Sequence, residues 1–469
     1  MISLDLQRIS SIIKSSAAPE GLKAVATGIS TDTRTLKKGD LFFALKGQNF
    51  DSHEFLSTAK KKGAIGAVVD VAKCAEYKDF LLLPVSSPLN ALGDLAKWYR
   101  SQFKIPVVAI TGSAGKTTTK DLLSSILAKS RRVLGTAGNL NNYIGLPRMI
   151  FRLDPEYDVA VLELGMNAPG EIFRLAEISN PQVGVITNIG HAHLEFLETI
   201  ERVAEAKYEL WKAMDNDGVA IVNLDDKHIT ELAERWKGEK VTFSTTLEHA
   251  DVLINLLETG VNGKTECELL IRNEGALKLS LPLIGPHNLY NAAAAAAAAL
   301  ALKASTKEIS EGLKAPRLTP MRSELLHFPP NRVLYNDAYN ANPDAMEAAL
   351  QCLSMMRGER TTVAILGDML ELGPQSKDFH CDIGSLVAEL KIDYLFTIGQ
   401  LGRIYARGAL ESGMDKGKVF QCDSLESVIE KIAPVIKNPN IIILVKGSRS
   451  MKMENIVVAL KEKFKQQRV

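Results

Sequence analysis

The stretch AITGSAGKTTTK, Ala109 to Lys120, ends in the Gly-Lys-Thr that wraps phosphates in a phosphate loop, yet Ile110 stands where the pattern G-x-x-x-x-G-K-[ST] has its leading glycine. The run before it, VVAITG, is short and continuously apolar, as expected of a parallel strand buried on both faces. After it, TTKDLLSSILAKS puts Leu122, Leu123, Ile126 and Leu127 on one helical face. Strand, glycine loop and helix therefore follow in the order that an anion site requires. Glycine lets successive backbone N–H groups turn inward, and the helix adds its positive end. Thr111, Gly112, Ser113, Ala114, Gly115, Lys116, Thr117 and Thr118 are the expected nucleotide contacts, with Lys116 on the terminal phosphates and the Thr117 hydroxyl on magnesium. The bland alternative is an ordinary strand-turn-helix with a chance Gly-Lys-Thr.

Working outward, DVAVLELG, VGVITN, GVAIVNLDD and VTFS read as further strands separated mostly by helical patterns. That alternation predicts an α/β fold with a mainly parallel central sheet. Upstream, DLFFALKG and GAVVD are strand-like, and SQFKIP reads as a linker because Pro106 disfavours helix at the residue before it. A second break falls at KAPRLTP, Lys314 to Pro320. Beyond it RVLYNDAY, TTVAILGDM, DYLFTIG, KVFQC and IIILVKGS alternate with helices, as in a doubly wound open sheet, with Asn342 and Pro343 as cap and first residue of its first helix. A chain of 469 residues carries a prior of roughly three domains. The expected boundaries are 1–104, 105–315 and 316–469. NAAAAAAAALALK reads as a tightly packed helix rather than low complexity.

Fifty-six basic against 55 acidic residues leave a net charge of +1, with no one-signed block to serve as a footprint for nucleic acid. No apolar run approaches the roughly 18 residues of a membrane span, and the first residues lack the pattern of a signal peptide. A soluble, cytoplasmic monomer is expected. The five cysteines, Cys74, Cys267, Cys352, Cys381 and Cys422, are widely spaced without a C-x-x-C pair, so reduced thiols are expected rather than a disulfide or zinc frame.

One lysine at 4 Å from a phosphate contributes only about 4 kcal/mol at an effective dielectric near 20, so phosphate chemistry calls for metal ions as well. Glu163 ends the strand VAVLELG, at the carboxyl edge where ligands gather in such sheets, and its carboxylate suits magnesium. NIGHAHLE follows another strand and supplies His191 and His193; its place beside the pocket favours a functional role for His193. Lys207 in ERVAEAKYELW reads by itself as a solvated helix lysine. Asn288 and Asn291 in GPHNLYN have amides suited to an adenine edge or, equally, to capping a helix.

Taken together these residues resemble the Mur ligases, ATP-dependent amide-forming enzymes of peptidoglycan precursor synthesis, whose shortened loop TGSAGKTTT is shared with folylpolyglutamate synthases. STDTRTLKKGDLFFALKGQNFDSHEF, GNLNNYIGLP, LELGMNAPGEI, NIGHAHLEFL, GPHNLYNAAAA, YNDAYNANPDAMEAAL, LGDMLELG and VKGSRSMKME extend the likeness from Ser30 to Glu454. The resemblance implies a UDP-sugar-binding amino-terminal domain, a central phosphate-loop ATPase and a Rossmann-like carboxy-terminal domain that binds the acceptor. It implies ATP-driven joining of D-alanyl-D-alanine to a UDP-muramoyl tripeptide through an acyl phosphate. Addition of the third amino acid, or a folylpolyglutamate synthase, is the neighbouring alternative; YNANPDAM and LGDMLELG favour the first. A nucleotide-switched binding protein is the rival from another class.

Residue by residue, the resemblance implies that Lys116, Lys207 and His193 are catalytic. It puts Thr117, Glu163, His193 and a carbamylated Lys207 around two magnesium ions, and Asn288, Asn291, Arg322 and Asp337 on the nucleotide. Ser30, Thr31, Asp32 and Arg34 match the UDP-sugar site, Asn139, Asn141 and Asn142 the muramoyl-peptide contacts, and Asn340 and Asn342 the acceptor side. Turn formation is the bland reading of these polar loop residues. Four features depart from the family pattern: His191, the FLET that follows HLE, Met321 where glycine commonly precedes the arginine, and Asn336 in place of an aspartate.

Overall fold

The computed structural model describes residues 3–16, 24–47, 50–76, 80–192, 194–272 and 274–466. Among these, three sheets carry the fold. The first is parallel throughout, Gly28–Ser30, Asp40–Phe43, Gly66–Asp70 and Leu82–Val85 side by side in chain order. The second has nine strands and the third six. Among the described residues no helix is long and apolar enough to cross a membrane. Every cysteine is free.

In the nine-stranded sheet Val107–Thr111 runs parallel between Val183–Ile186 and Val159–Glu163. Its interior place explains the missing glycine. Ile110 pairs with Glu163 and Val185 and is wholly buried, so a bare Cα there would empty part of the core. The turn starts two residues later. Gly112, at φ 149°, has no room for a Cβ, which would stand 1.8 Å from the Thr187 hydroxyl.

The alanine run is the helix Pro286–Ala301, which lies between the phosphate-loop helix Lys116–Leu127 and the strands Val219–Asn223, Glu239–Ser244 and Val252–Thr259. From Ala292 to Ala299 every side chain is fully buried, and methyl groups let three layers approach closely. Beyond Val252 the sheet departs from the sequence expectation, because Thr265–Ile271 and Gly275–Leu281 extend it as antiparallel strands.

The third sheet runs Glu324–Phe328, Asn331–Asn336, Asn440–Lys446, Thr361–Gly367, Tyr394–Ile398, Val419–Cys422, parallel apart from its first pair. Asn342 caps Pro343–Met355 as expected, accepting from Ala345 N at 2.8 Å.

Two connections fix how these sheets meet. Arg100, buried at the end of Pro88–Ser101, donates to the carbonyls of Ser179, Phe103 and Ile105 and so braces the SQFKIP linker. Past Lys314 the chain is pinned on the phosphate-loop helix, Arg317 N to Ser125 Oγ at 2.9 Å and Thr319 N to Asp121 Oδ2 at 2.7 Å. Met321 and Ser323 then turn at φ 65° and 48°. A left-handed methionine costs about 1 kcal/mol or more, which accounts for the glycine expected there.

Candidate active site

A cleft of about 800 Å³ opens at the carboxyl edge of the nine-stranded sheet, walled by the phosphate loop on one side and by the third sheet on the other. All eight residues from Thr111 to Thr118 line it. Gly115, at φ 79°, is the N-cap of the loop helix, and a Cβ there would stand 2.1 Å from Asn291 Oδ1. The loop is braced from behind: Ser113 N donates to Asn188 O at 3.1 Å and Ala114 N to Asn188 Oδ1 at 2.8 Å. Lys116 Nζ donates to Gly112 O at 2.6 Å. Burial lowers the Lys116 pKa, with Glu163 opposing and Arg322 assisting.

Glu163 closes its strand and is buried. Thr117 Oγ1 donates to its Oε2 at 2.7 Å and Asn141 Nδ2 to its Oε1 at 2.8 Å. A hydroxyl and a carboxylate oxygen thus meet beside the phosphate loop, an all-oxygen donor pair of the kind a hard cation takes. Lys207 reaches the same cleft from the helix Ile200–Lys212, held by buried Trp211, whose indole donates to Gly184 O at 3.0 Å. Lys207 is 1% exposed, and among the described residues no hydrogen bond or ion pair engages its amine. Burial, reinforced by the Lys116 charge, drives its pKa well below the ordinary lysine value, so the amine is held toward its neutral form. His193 lies outside the described residues. Among the described residues no three His, Cys, Asp or Glu side chains converge as a metal cluster.

Across the cleft stand Arg322, Asp337, Asn340 and Asn342. The Arg322 guanidinium lies 3.9 Å from the centre of the Tyr339 ring. Asp337 accepts from Ser323 N at 2.9 Å and forms an ion pair with buried Lys446. Burial opposes ionisation of Asp337 most strongly, but the Lys446 charge and hydrogen bond, the Ser323 N–H and His287 together outweigh it and hold the carboxyl below the usual range. Lys446 was not singled out in the sequence; its signal was the same as that of Glu163, a charge at the carboxyl end of an apolar strand, IIILVK.

Asn139, Asn141 and Asn142 also line the cleft. Asn288 and Asn291 do so with their amides largely engaged: Asn291 Nδ2 donates to Asn288 Oδ1 at 3.0 Å, Asn288 Nδ2 to Ile284 O at 2.8 Å, and Thr119 Oγ1 to Asn291 Oδ1 at 3.3 Å. They tie the alanine helix to the phosphate-loop helix as well as facing the cleft. Ser30, Thr31, Asp32 and Arg34 are elsewhere, Ser30 closing the strand Gly28–Ser30 and the others in the turn after it, apart from the cleft lining. There Arg34 grips the Asp32 carboxylate and lowers its pKa to about 2.

His287 was also missed. It borders the cleft with Nδ1 4.0 Å from Cys352 Sγ, and burial lowers its pKa to about 4, against 6.5 ordinarily. Between pH 6.5 and about 4 the unfolded chain therefore binds a proton that the folded chain refuses, and stability falls as pH falls through that window. A His287→Gln variant should show a shallower acid slope of unfolding free energy over this window, measured by denaturant titration at successive pH values. An unchanged slope would contradict the burial account.

The description "Mur ligase middle domain" matches residues 110–299, "Mur ligase, glutamate ligase domain" residues 321–449, and "Mur ligase family, catalytic domain" residues 25–100. The UDP-N-acetylmuramoyl-tripeptide–D-alanyl-D-alanine ligase of Bacillus subtilis (strain 168) is 35% identical over 463 residues, 98% of this chain and 99% of its own. Its counterpart in Escherichia coli (strain K12) is 36% identical over 464 residues, with the same coverage. Among solved structures, MurF from Acinetobacter baumannii superposes with a TM-score of 0.88 at 33% identity, covering 98% of this chain and 99% of that one. MurF ligase from Thermotoga maritima, solved in complex with ADP, gives 0.82 at 26% identity, covering 94% and 98%.

Proposed function

The chain belongs to the Mur ligase family, and from that premise we propose that its cleft joins D-alanyl-D-alanine to UDP-N-acetylmuramoyl-tripeptide while ATP is cleaved to ADP and phosphate. The observation that carries this reading is a single cleft bordered at once by the phosphate loop, Glu163, Lys207, the Asn139–Asn142 loop and the charged ends of the third sheet.

The loop amides and Lys116 hold the phosphates. Thr117 and Glu163 would hold magnesium, which neutralises charge on the phosphate oxygens during transfer. A carboxylate repels a phosphate, and Lys116, Arg322 and Arg449, all lining the cleft, offset that repulsion. One carboxylate oxygen of the tripeptide attacks the terminal phosphorus and ADP leaves. The dipeptide amine then attacks the acyl carbon, phosphate leaves, and the amine gives up a proton. A free carboxylate is a poor electrophile, whereas an acyl phosphate carries a good leaving group.

Lys207 has a specific part in this scheme. Only an unprotonated amine attacks carbon dioxide, and burial beside another cation shifts Lys207 toward that form. Carbamylation would convert that neutral amine into a carboxylate-like oxygen donor for metal. Asn340, Asn342 and the neighbouring third-sheet residues hold the acceptor, and the Ser30–Arg34 turn holds the UDP-sugar end. Free thiols, ATP and a nucleotide-linked substrate fit the cytoplasm.

The test is phosphate release with ATP, UDP-muramoyl tripeptide and D-alanyl-D-alanine, each omitted in turn. Turnover should require all three. Release that ignores the last two would reject the reading in favour of a nucleotide switch.

A further inference from the structure

The loop after Val183–Ile186 touches the phosphate loop on one side and the third-sheet unit on the other. Ser113 Oγ accepts from Gly190 N at 2.9 Å and donates to Gly190 O at 3.1 Å. One residue on, His191 N donates to Asp344 Oδ2 at 2.8 Å, and His191 Nδ1 lies 3.0 Å from Asp344 Oδ1. Asp344 sits in the first turn of Pro343–Met355, so both its carboxylate oxygens bond across the boundary between the two units. The contact is steric as well: a Cβ on Gly190 would stand 2.1 Å from Asp344 Oδ2. Further along, Glu195 N donates to Glu371 O at 3.2 Å, and the His191 and Phe379 rings lie 5.5 Å apart. The same loop supplies Asn188, which engages the N–H groups of Ser113 and Ala114.

We propose that Asp344 is a positioning residue: by holding the Gly190–His191 turn it latches the third-sheet unit onto the phosphate loop, so that Arg322 and Lys446 face Lys116 across a closed cleft. A surface ion pair alone would contribute little, and both side chains are partly exposed, Asp344 40% and His191 45%. The backbone N–H bonded to a carboxylate distinguishes this contact, because such charge-assisted bonds are the stronger kind and the acceptor is already held on a helix. His191 was a departure from the family pattern in the sequence. Here its main chain and ring both serve the latch.

The proposal rests on the ligase reading for its activity arm, and scattering supplies an arm that does not. Asp344→Ala should raise the ATP KM and lower kcat, each roughly tenfold, as expected for loss of a hydrogen bond to a charged group. It should also enlarge the radius of gyration of the nucleotide-free protein in small-angle X-ray scattering. Affinity for UDP-muramoyl tripeptide without ATP should stay at the wild-type value. Asp344→Asn should recover most of the loss, since an amide oxygen still accepts from His191 N. Gly190→Ala should reproduce the Asp344→Ala defect, yet add nothing in the Asp344→Ala background, where the carboxylate it would strike is gone. Wild-type ATP KM and wild-type dimensions for Asp344→Ala, or additive effects of the two substitutions, would overturn the latch. Should wild-type phosphate release prove independent of both acceptor and UDP-substrate, the ligase reading fails, while scattering and ATP binding still decide the latch.

Discussion

A Lys207→Ala enzyme should be inactive, with phosphate release at background, and added bicarbonate should not restore it. Lys207 is buried, its amine is unpaired among the described residues, and burial beside Lys116 holds it toward the neutral form. A buried lysine with no anionic partner is costly to keep, so a purely structural account of it is poor. Carbamylation would turn that amine into an anionic oxygen donor. In the wild type, isotopically labelled bicarbonate should give one slowly exchanging carbamate signal, absent from the variant. Full activity of Lys207→Ala would eliminate the carbamate. Deleting one preorganised oxyanion-hole donor lowers kcat about 10²–10³-fold, and loss of a whole metal site should exceed that.

The second large effect belongs to Lys116. Replacing it by alanine should slow turnover roughly a thousandfold, because one cation at 4 Å contributes about 4 kcal/mol at an effective dielectric near 20 and each 1.36 kcal/mol is tenfold in rate. The loss should fall mainly on kcat. Ground-state phosphates retain the loop amides, the helix end and Arg322, whereas charge developing in transfer loses its nearest partner. Glu163 attracts the Lys116 charge and Arg322 repels it, so an Arg322→Ala variant should have a more readily protonated Lys116. A Lys116→Ala enzyme with wild-type kcat would place the chemistry away from the phosphate loop.

The part of the site legible in the sequence is the part built from contiguous residues. VVAITGSAGKTTT carries its own strand, turn and helix signals, and it folds as Val107–Thr111, a turn, and Lys116–Leu127. Glu163 was legible from its place at a strand end. Lys446 obeys the same rule and was passed over, since nothing local reveals that its strand runs beside Asn331–Asn336, bringing it to Asp337. Asp344 and Asn188 were invisible for a related reason: their partners, His191 and the Ser113–Ala114 amides, are set by how separate elements meet rather than by spacing. The antiparallel extension was a different miss. Thr265–Ile271 alternates buried and more exposed positions, and a turn with Gly263 at φ 83° precedes it. Those cues are present in NGKTECELLI, but the parallel pattern before it outweighed them. The polar amides show the limit of reading roles from residue type. Asn288 and Asn291 face the cleft and brace two helices at once, so both the nucleotide and the structural readings have a physical basis.

A carboxyl group made reactive by a phosphoryl group moved onto it leaves a mark in the products. The direct measurement uses UDP-muramoyl tripeptide whose terminal carboxylate carries heavy oxygen, turned over with ATP and D-alanyl-D-alanine, followed by mass analysis of the phosphate released. Transfer through an acyl phosphate delivers one labelled oxygen from each fully labelled carboxylate to inorganic phosphate and leaves the other in the new amide. Unlabelled phosphate, with the amide still formed, would rule out a phosphorylated carboxyl in this cleft.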